Sequence, residues 1–165
     1  MGPEDPCAGP GRGLRSRRWG SGEDEQRGET VQVNRRRDLP LVYSCSGCSS
    51  AAQMTNWLAV QLDRRGIAEM SCIAGVGGDV PSLVRKATSG RPVVAIDGCV
   101  LQCARNCLAR HGVTPTVHHL LSDDGVRKRL GEDFDPEQAE RVLTGLVDRL
   151  ATAPVERRER DAHGG

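Results

Sequence analysis

Apolar residues come in short blocks from residue 39 onward, and the blocks alternate between two periods. Leu41-Val42-Tyr43 is an unbroken apolar run, as expected of a short buried strand, and it leads into Ser44-Cys45. Ser49 and Ser50 offer a helix cap. Ala51, Met54, Leu58 and Leu62 then recur at helical spacing until Gly66. The stretch from Ile67 to Ile73 reads as a second strand, with Cys72 near its end. Gly75, Gly77 and Gly78 read as a loop, and Asp79 as the cap of a helix with Pro81 in its first turn. Pro92-Val93-Val94-Ala95-Ile96 is the clearest strand, and Asp97-Gly98 turns the chain into a helix predicted from Cys99 to Arg110. Thr116 to Leu121 is a fourth strand, and Asp123 is expected to cap a short turn. The last helix opens at Asp135-Pro136, with Gln138 in a capping box and Ala139, Val142, Leu143, Leu146, Val147 and Leu150 on its apolar face.

Strand followed by helix, four times over, with short connections, predicts a parallel sheet covered on both faces. The expected fold is α/β: a Rossmann-like three-layer domain with about four parallel strands and helices on both faces. Strand order cannot be read from this pattern.

The flanks differ in kind. Residues 1–38 are rich in Gly, Pro, Arg and Glu without hydrophobic periodicity, and are expected to be a disordered extension. Residues 39–153 form the expected α/β metal-binding domain, and residues 154–165 a charged, disordered tail. Arg35-Arg36-Arg37 hints at a nucleic-acid arm, but Glu23-Asp24-Glu25 offsets part of that charge, so a solvated tail is the better reading.

The 165 residues suffice for one domain with a core. The aromatics are few, Trp19, Tyr43, Trp57 and Phe134, so the core must be built from Val, Leu, Ile and Ala. A net charge of +1 points to neither a nucleic acid nor a membrane as partner. No apolar run approaches the ~20 residues of a membrane span, and no apolar stretch follows the early arginines as in a secretory signal. A cytoplasmic protein is expected. In that reducing compartment clustered cysteines more often bind metal or do redox chemistry than form structural bridges.

Chemistry collects on the cysteines. Cys45 and Cys48 form a C-x-x-C, and Cys99 and Cys103 a C-x-x-x-C that opens with Asp97-Gly98-Cys99. Three predicted strands end in cysteine, at Cys45, Cys72 and Cys99. In a parallel sheet these thiols share the carboxyl edge, where open α/β sheets bind ligands. Cys99 and Cys103 are expected on one helix face. Helix N-termini lower thiol pKa, so deprotonated sulfur is expected at Cys45, Cys48 and Cys99. Cys45, Cys48, Cys99 and Cys103 make a complete tetrahedral thiolate set for zinc, and Cys72 could exchange with one member. Asp97 is expected to cap the helix at Cys99 and, as a consequence, to tune the sulfurs. Cys107 and Cys7 are left out as packing and tail residues. His118 and His119 should point to opposite faces of their strand, with packing or surface roles.

At these residues the chain resembles the DGC-domain family, whose members are described as zinc-binding. The resemblance spans about residues 41–134 and rests on Cys45-Ser46-Gly47-Cys48, on the Cys72 segment, and on Ile96-Asp97-Gly98-Cys99 followed by Cys103. It implies zinc ligands drawn from Cys45, Cys48, Cys72, Cys99 and Cys103, and implies no reaction.

The leading expectation is thus a zinc-binding protein rather than an enzyme. Two alternatives stand beside it. One is a thiol–disulfide protein using Cys45-x-x-Cys48, although thioredoxin-like folds need antiparallel strands that this pattern does not predict. The other is an iron–sulfur or heavy-metal thiolate site in a sensor or maturation factor.

Overall fold

All residues of Leu41–Ser44 and of Val93–Asp97 are buried, which only a central position between two helical layers can accomplish for consecutive strand residues. In the computed structural model, which describes residues 36–152, these two strands are neighbours in one sheet. The strands are β1 (Leu41–Ser44), β2 (Glu69–Met70), β3 (Val93–Asp97) and β4 (Val117–Leu120). Their order is β2-β1-β3-β4 and every pairing is parallel. Leu41 stands opposite Val93, Ser44 opposite Ile96, and Ala95 opposite His118.

The helices are α1 (Ser50–Arg64), α2 (Ile73–Gly77), α3 (Pro81–Ala87), α4 (Cys103–Ala109) and α5 (Pro136–Thr152). Strand residues divide between the layers by parity. Val42, Val94, Ile96 and Val117 pack on Met54, Leu58 and Leu62 of α1 and on Leu143 and Leu146 of α5. Leu41, Tyr43, Val93 and Ala95 pack on Val76 of α2, Ala87 of α3 and Leu108 of α4. This is the three-layer α/β arrangement the apolar pattern predicts. No helix among the described residues is long and apolar enough to cross a membrane.

Several local expectations need correction. The second strand is only Glu69–Met70, and Cys72 lies beyond it as the N-cap of α2, its Sγ accepting the Gly75 N–H at 3.4 Å. Gly75 and Gly77 are helical rather than looped. A Cβ on Gly75 would stand 2.0 Å from Leu83 Cδ1, so a side chain there would have to displace the end of Leu83. Asp79 does not cap α3; Val80 occupies that position without a side-chain cap. Asp79 has a φ of 59°, and its carboxylate lies near Arg110 and His111 instead.

Charged groups secure the lower edge of β2. Glu69 accepts from Lys86 Nζ and from Arg91 Nη1, each at 2.6 Å, and Arg91 also binds the Leu39 carbonyl. Burial alone would raise the Glu69 carboxyl pKa, but the Lys86 and Arg91 hydrogen bonds and charges together hold it below the ordinary value. Of the segment 1–38, residues 36–38 form a helical turn, with the Arg36 guanidinium 2.8 Å from Asp63. Residues 1–35 and the tail from 153 onward lie outside the described residues.

Candidate thiol site at the switch point of the sheet

β1 and β3 lie side by side, yet the chain leaves them in opposite directions. After β1 it enters α1 on one face, and after β3 it enters α4 on the other. This divergence opens a crevice at the carboxyl ends of the two strands, the position where open parallel sheets bind ligands. Cys45 follows β1 and Cys99 follows soon after β3, while Cys72 follows β2 at the same edge. The expectation of a shared edge therefore holds for all three.

Cys45 is only 7% exposed. Its Sγ lies 3.3 Å from Thr55 Oγ1 and accepts the Gly98 N–H at 3.3 Å. Thr55 Oγ1 is also 2.8 Å from the Cys45 carbonyl and 2.7 Å from the Ala52 carbonyl. The single hydroxyl proton is committed to those carbonyls, so the thiol is the donor toward Thr55. Burial pushes the Cys45 thiol pKa up; Thr55 and the Gly98 N–H pull against it, and the charges of Asp97 and Cys103 add to the rise. This corrects the expectation of a deprotonated Cys45. Desolvation outweighs the helix-terminus effect because the sulfur is buried with Ala52 and Ala104.

Gly98 explains the middle of the Asp-Gly-Cys triplet. A Cβ there would stand 2.9 Å from the Ala51 carbonyl carbon and 3.0 Å from its oxygen. Only a residue without a side chain lets the end of β3 press against the first turn of α1.

Asp97 is 1% exposed, and its carboxylate is fully engaged. Oδ1 accepts the Ala104 N–H at 2.8 Å, and Oδ2 accepts the Arg105 N–H at 3.1 Å. His118 Nε2 lies 3.0 Å from Oδ2. Asp97 is thus a helix-capping residue, as expected, but it caps α4 at Cys103 and not at Cys99. The helix starts four residues later than its helix-forming composition suggests. Residues 99–102 form a turn in which Gln102 N–H reaches the Cys99 carbonyl at 3.0 Å and Gln102 adopts a φ of 49°. Cys99 and Cys103 consequently do not share a helix face. The turn displays Val100 and Leu101, 76% and 60% exposed, beside the two thiols.

The remaining thiols differ in exposure. Cys48, Cys72 and Cys103 are exposed and Cys99 is half-buried. Among the described residues no three Cys, His, Asp or Glu side chains gather closely enough to hold a metal ion. The four sulfurs suit a thiophilic metal in donor type, but this conformation does not bring them together. Cys107 packs against α2, its Sγ 3.1 Å from where a Gly77 Cβ would be, in agreement with a packing role. Cys7 lies outside the described residues.

Two contributors escape a linear reading. Thr55 is one residue of an amphipathic helix, and nothing nearby in the chain marks it as the partner of Cys45. His118 had a partial signal: alternation in β4 puts it on the α4 side, and its pairing with Ala95 places it diagonal to Asp97 on that same side.

The DGC domain family model matches residues 41–146. The chain is also 60% identical over 120 residues to the anaerobic and virulence modulator AnvM of Pseudomonas aeruginosa, covering 73% of this chain and 91% of that protein. No solved structure matches. With the family model matched over residues 41–146 and AnvM aligned over 91% of its length at 60% identity, this chain belongs to the DGC-domain family.

Proposed function

We propose that this protein is a cytoplasmic, cysteine-based regulator that binds zinc through Cys45, Cys48, Cys99 and Cys103, with Cys72 able to exchange with one of them. The observation that carries the reading is the juxtaposition of two cysteine loops on adjacent strands at the switch point. Two changes within this chain would complete the set. Cys45 gives up the proton it shares with Thr55, and the exposed Cys48 and Cys103 turn toward the crevice. Bound zinc would cross-link the β1 and β3 loops, with an apparent binding energy on the order of 10 kcal/mol that adds to folding. The regulatory part rests on similarity to AnvM, whose name describes an anaerobic and virulence modulator. Thiolate sites suit such a role because their ligation and oxidation state follow the redox surroundings.

Metal content of protein purified without chelator, wild type beside Cys99→Ser, tests this reading. Stoichiometric zinc in the wild type and its loss in the variant are expected. A fully reduced, metal-free wild type that takes up no added zinc overturns it. Visible absorption in an anaerobic preparation would instead favour an iron–sulfur centre. The thiol–disulfide alternative is weakened by the buried, protonated Cys45 and by the all-parallel sheet. A redox titration with no reversible Cys45–Cys48 couple would remove it.

A further inference from the structure

A second, separate groove lies where the edge strand β4 and the turn after it meet α5. Its volume is about 570 Å³, within the range of small-molecule sites, and its walls include His119, Asp124, Gln138, Arg141, Gly145 and Arg149. His119 points to the α5 side of the sheet, opposite His118, and is more than nine-tenths buried. Its Nε2 lies 2.7 Å from Asp124 Oδ2, though without the alignment of a hydrogen bond. Its Nδ1 faces Arg149 Nη1 at 3.5 Å. A guanidinium can only donate, so Nδ1 is the acceptor in this contact and helps to hold the arginine in place.

Arg141, Gly145 and Arg149 follow one another at four-residue intervals and so line one side of α5. The two arginines are about 12 Å apart along the axis, a span their long side chains can close around a ligand between them. Among the described residues neither guanidinium has a carboxylate partner. Gly145 stands midway, and a Cβ there would meet nothing within 4 Å. No intramolecular contact requires glycine at this point, and glycine is unfavourable inside a helix. What it does is leave the groove open between two unneutralised cations.

We propose that this groove binds a phosphate group, with Arg141 and Arg149 as its two cationic arms, Gly145 as the opening between them, and His119 with Asp124 as the support of Arg149. The walls hold two guanidinium groups against one carboxylate, Asp124, so the groove keeps a net positive charge, which suits an anion. Planar guanidinium groups match phosphate oxygens in paired hydrogen bonds.

The test is a titration of the full, isotope-labelled chain followed by amide resonances, with inorganic phosphate in one arm and glycerol phosphate in the other. Shifts at His119, Asp124 and residues 141–149 at millimolar ligand are expected. Arg141→Gln and Arg149→Gln should each weaken binding roughly tenfold or more. Gly145→Leu keeps every charge and improves helix propensity, and it should abolish binding by filling the groove. Tighter binding of the ester would assign the ligand as a phosphate monoester, and tighter binding of the free ion would assign it as phosphate; either supports the site. No shift with either ligand overturns the proposal. So does an equal response to acetate or chloride, or undiminished binding by a folded Gly145→Leu.

Discussion

His118 Nε2 and Asp97 Oδ2 meet at 3.0 Å between neighbouring strands, with the carboxylate buried beneath the first turn of α4. The pairing ties β4 to the same acid that caps α4, so one side chain joins a strand end, a helix start and the next strand. The expected consequence concerns Asp97→Asn. The amide keeps one acceptor for the helix N–H groups but loses the charge that His118 faces. Destabilisation of about 1–3 kcal/mol is expected in urea unfolding. A change below a few tenths would mean that the carboxylate is not holding these elements together.

Cys45 should be the slowest of the site thiols to alkylate. At neutral pH the buried thiol is protonated, whereas Cys48 and Cys103 are exposed. Brief iodoacetamide treatment of the native, metal-free protein, read by peptide mass spectrometry, should label Cys48 and Cys103 first. Labelling of Cys45 at the same rate would contradict its burial.

The same thiol gives a pH dependence of stability with a definite sign. Its folded pKa lies above its unfolded value of about 8.5. The protonated form is therefore the one the fold favours. Its contribution is fully present below the unfolded pKa and is lost as pH rises through the folded pKa. The stability advantage of wild type over Cys45→Ala should shrink on going from neutral to alkaline buffer, measured without metal.

Gly98→Ala should cost about 1–3 kcal/mol or more, as overpacking against backbone cannot be relieved by a rotamer change. The added methyl would press on the Ala51 carbonyl and prise the Gly98 N–H from the Cys45 sulfur. Thermal unfolding beside Gly90→Ala, where a Cβ meets nothing but φ is 79°, separates crowding from backbone strain. An unchanged unfolding midpoint in Gly98→Ala would show that crowding against α1 is not the reason for glycine at 98.

Glu69 has the opposite sign from Cys45. Its folded pKa is depressed, so its contribution is present above the unfolded value of about 4.3 and is lost as pH falls through the folded pKa. Glu69→Gln should lower stability by about 1–2 kcal/mol at neutral pH, and the difference should vanish in acid. A difference that persists unchanged at low pH would point to a cause other than the Lys86 and Arg91 contacts.

Much of the fold was legible because the relevant forces are local. Val93 to Ile96 could only be a strand buried on both sides, and Ser49 does cap α1, accepting the Ala52 N–H at 3.3 Å. The alternation at His118 and His119 correctly sent the two rings to opposite layers. Errors arose where a distant group intervened. The helix predicted from Cys99 begins at Cys103 because Asp97, folded back over the turn, takes the N–H groups of Ala104 and Arg105. The predicted strand through Cys72 is cut to two residues because its neighbour β1 pairs only with Glu69 and Met70.

Residue order by itself determined that four strands and their helices would form, and that Cys45, Cys72 and Cys99 would emerge at one edge. Periodicity and right-handed connection suffice for that, since each depends on neighbours in the chain. Only the tertiary structure decided the order β2-β1-β3-β4, and with it the placing of the Cys45 and Cys99 loops on either side of one crevice. It also decided that Cys45 is a protonated thiol held by Thr55 and Gly98. Desolvation is set by everything packed around an atom, and no spacing of residues along the chain can supply it.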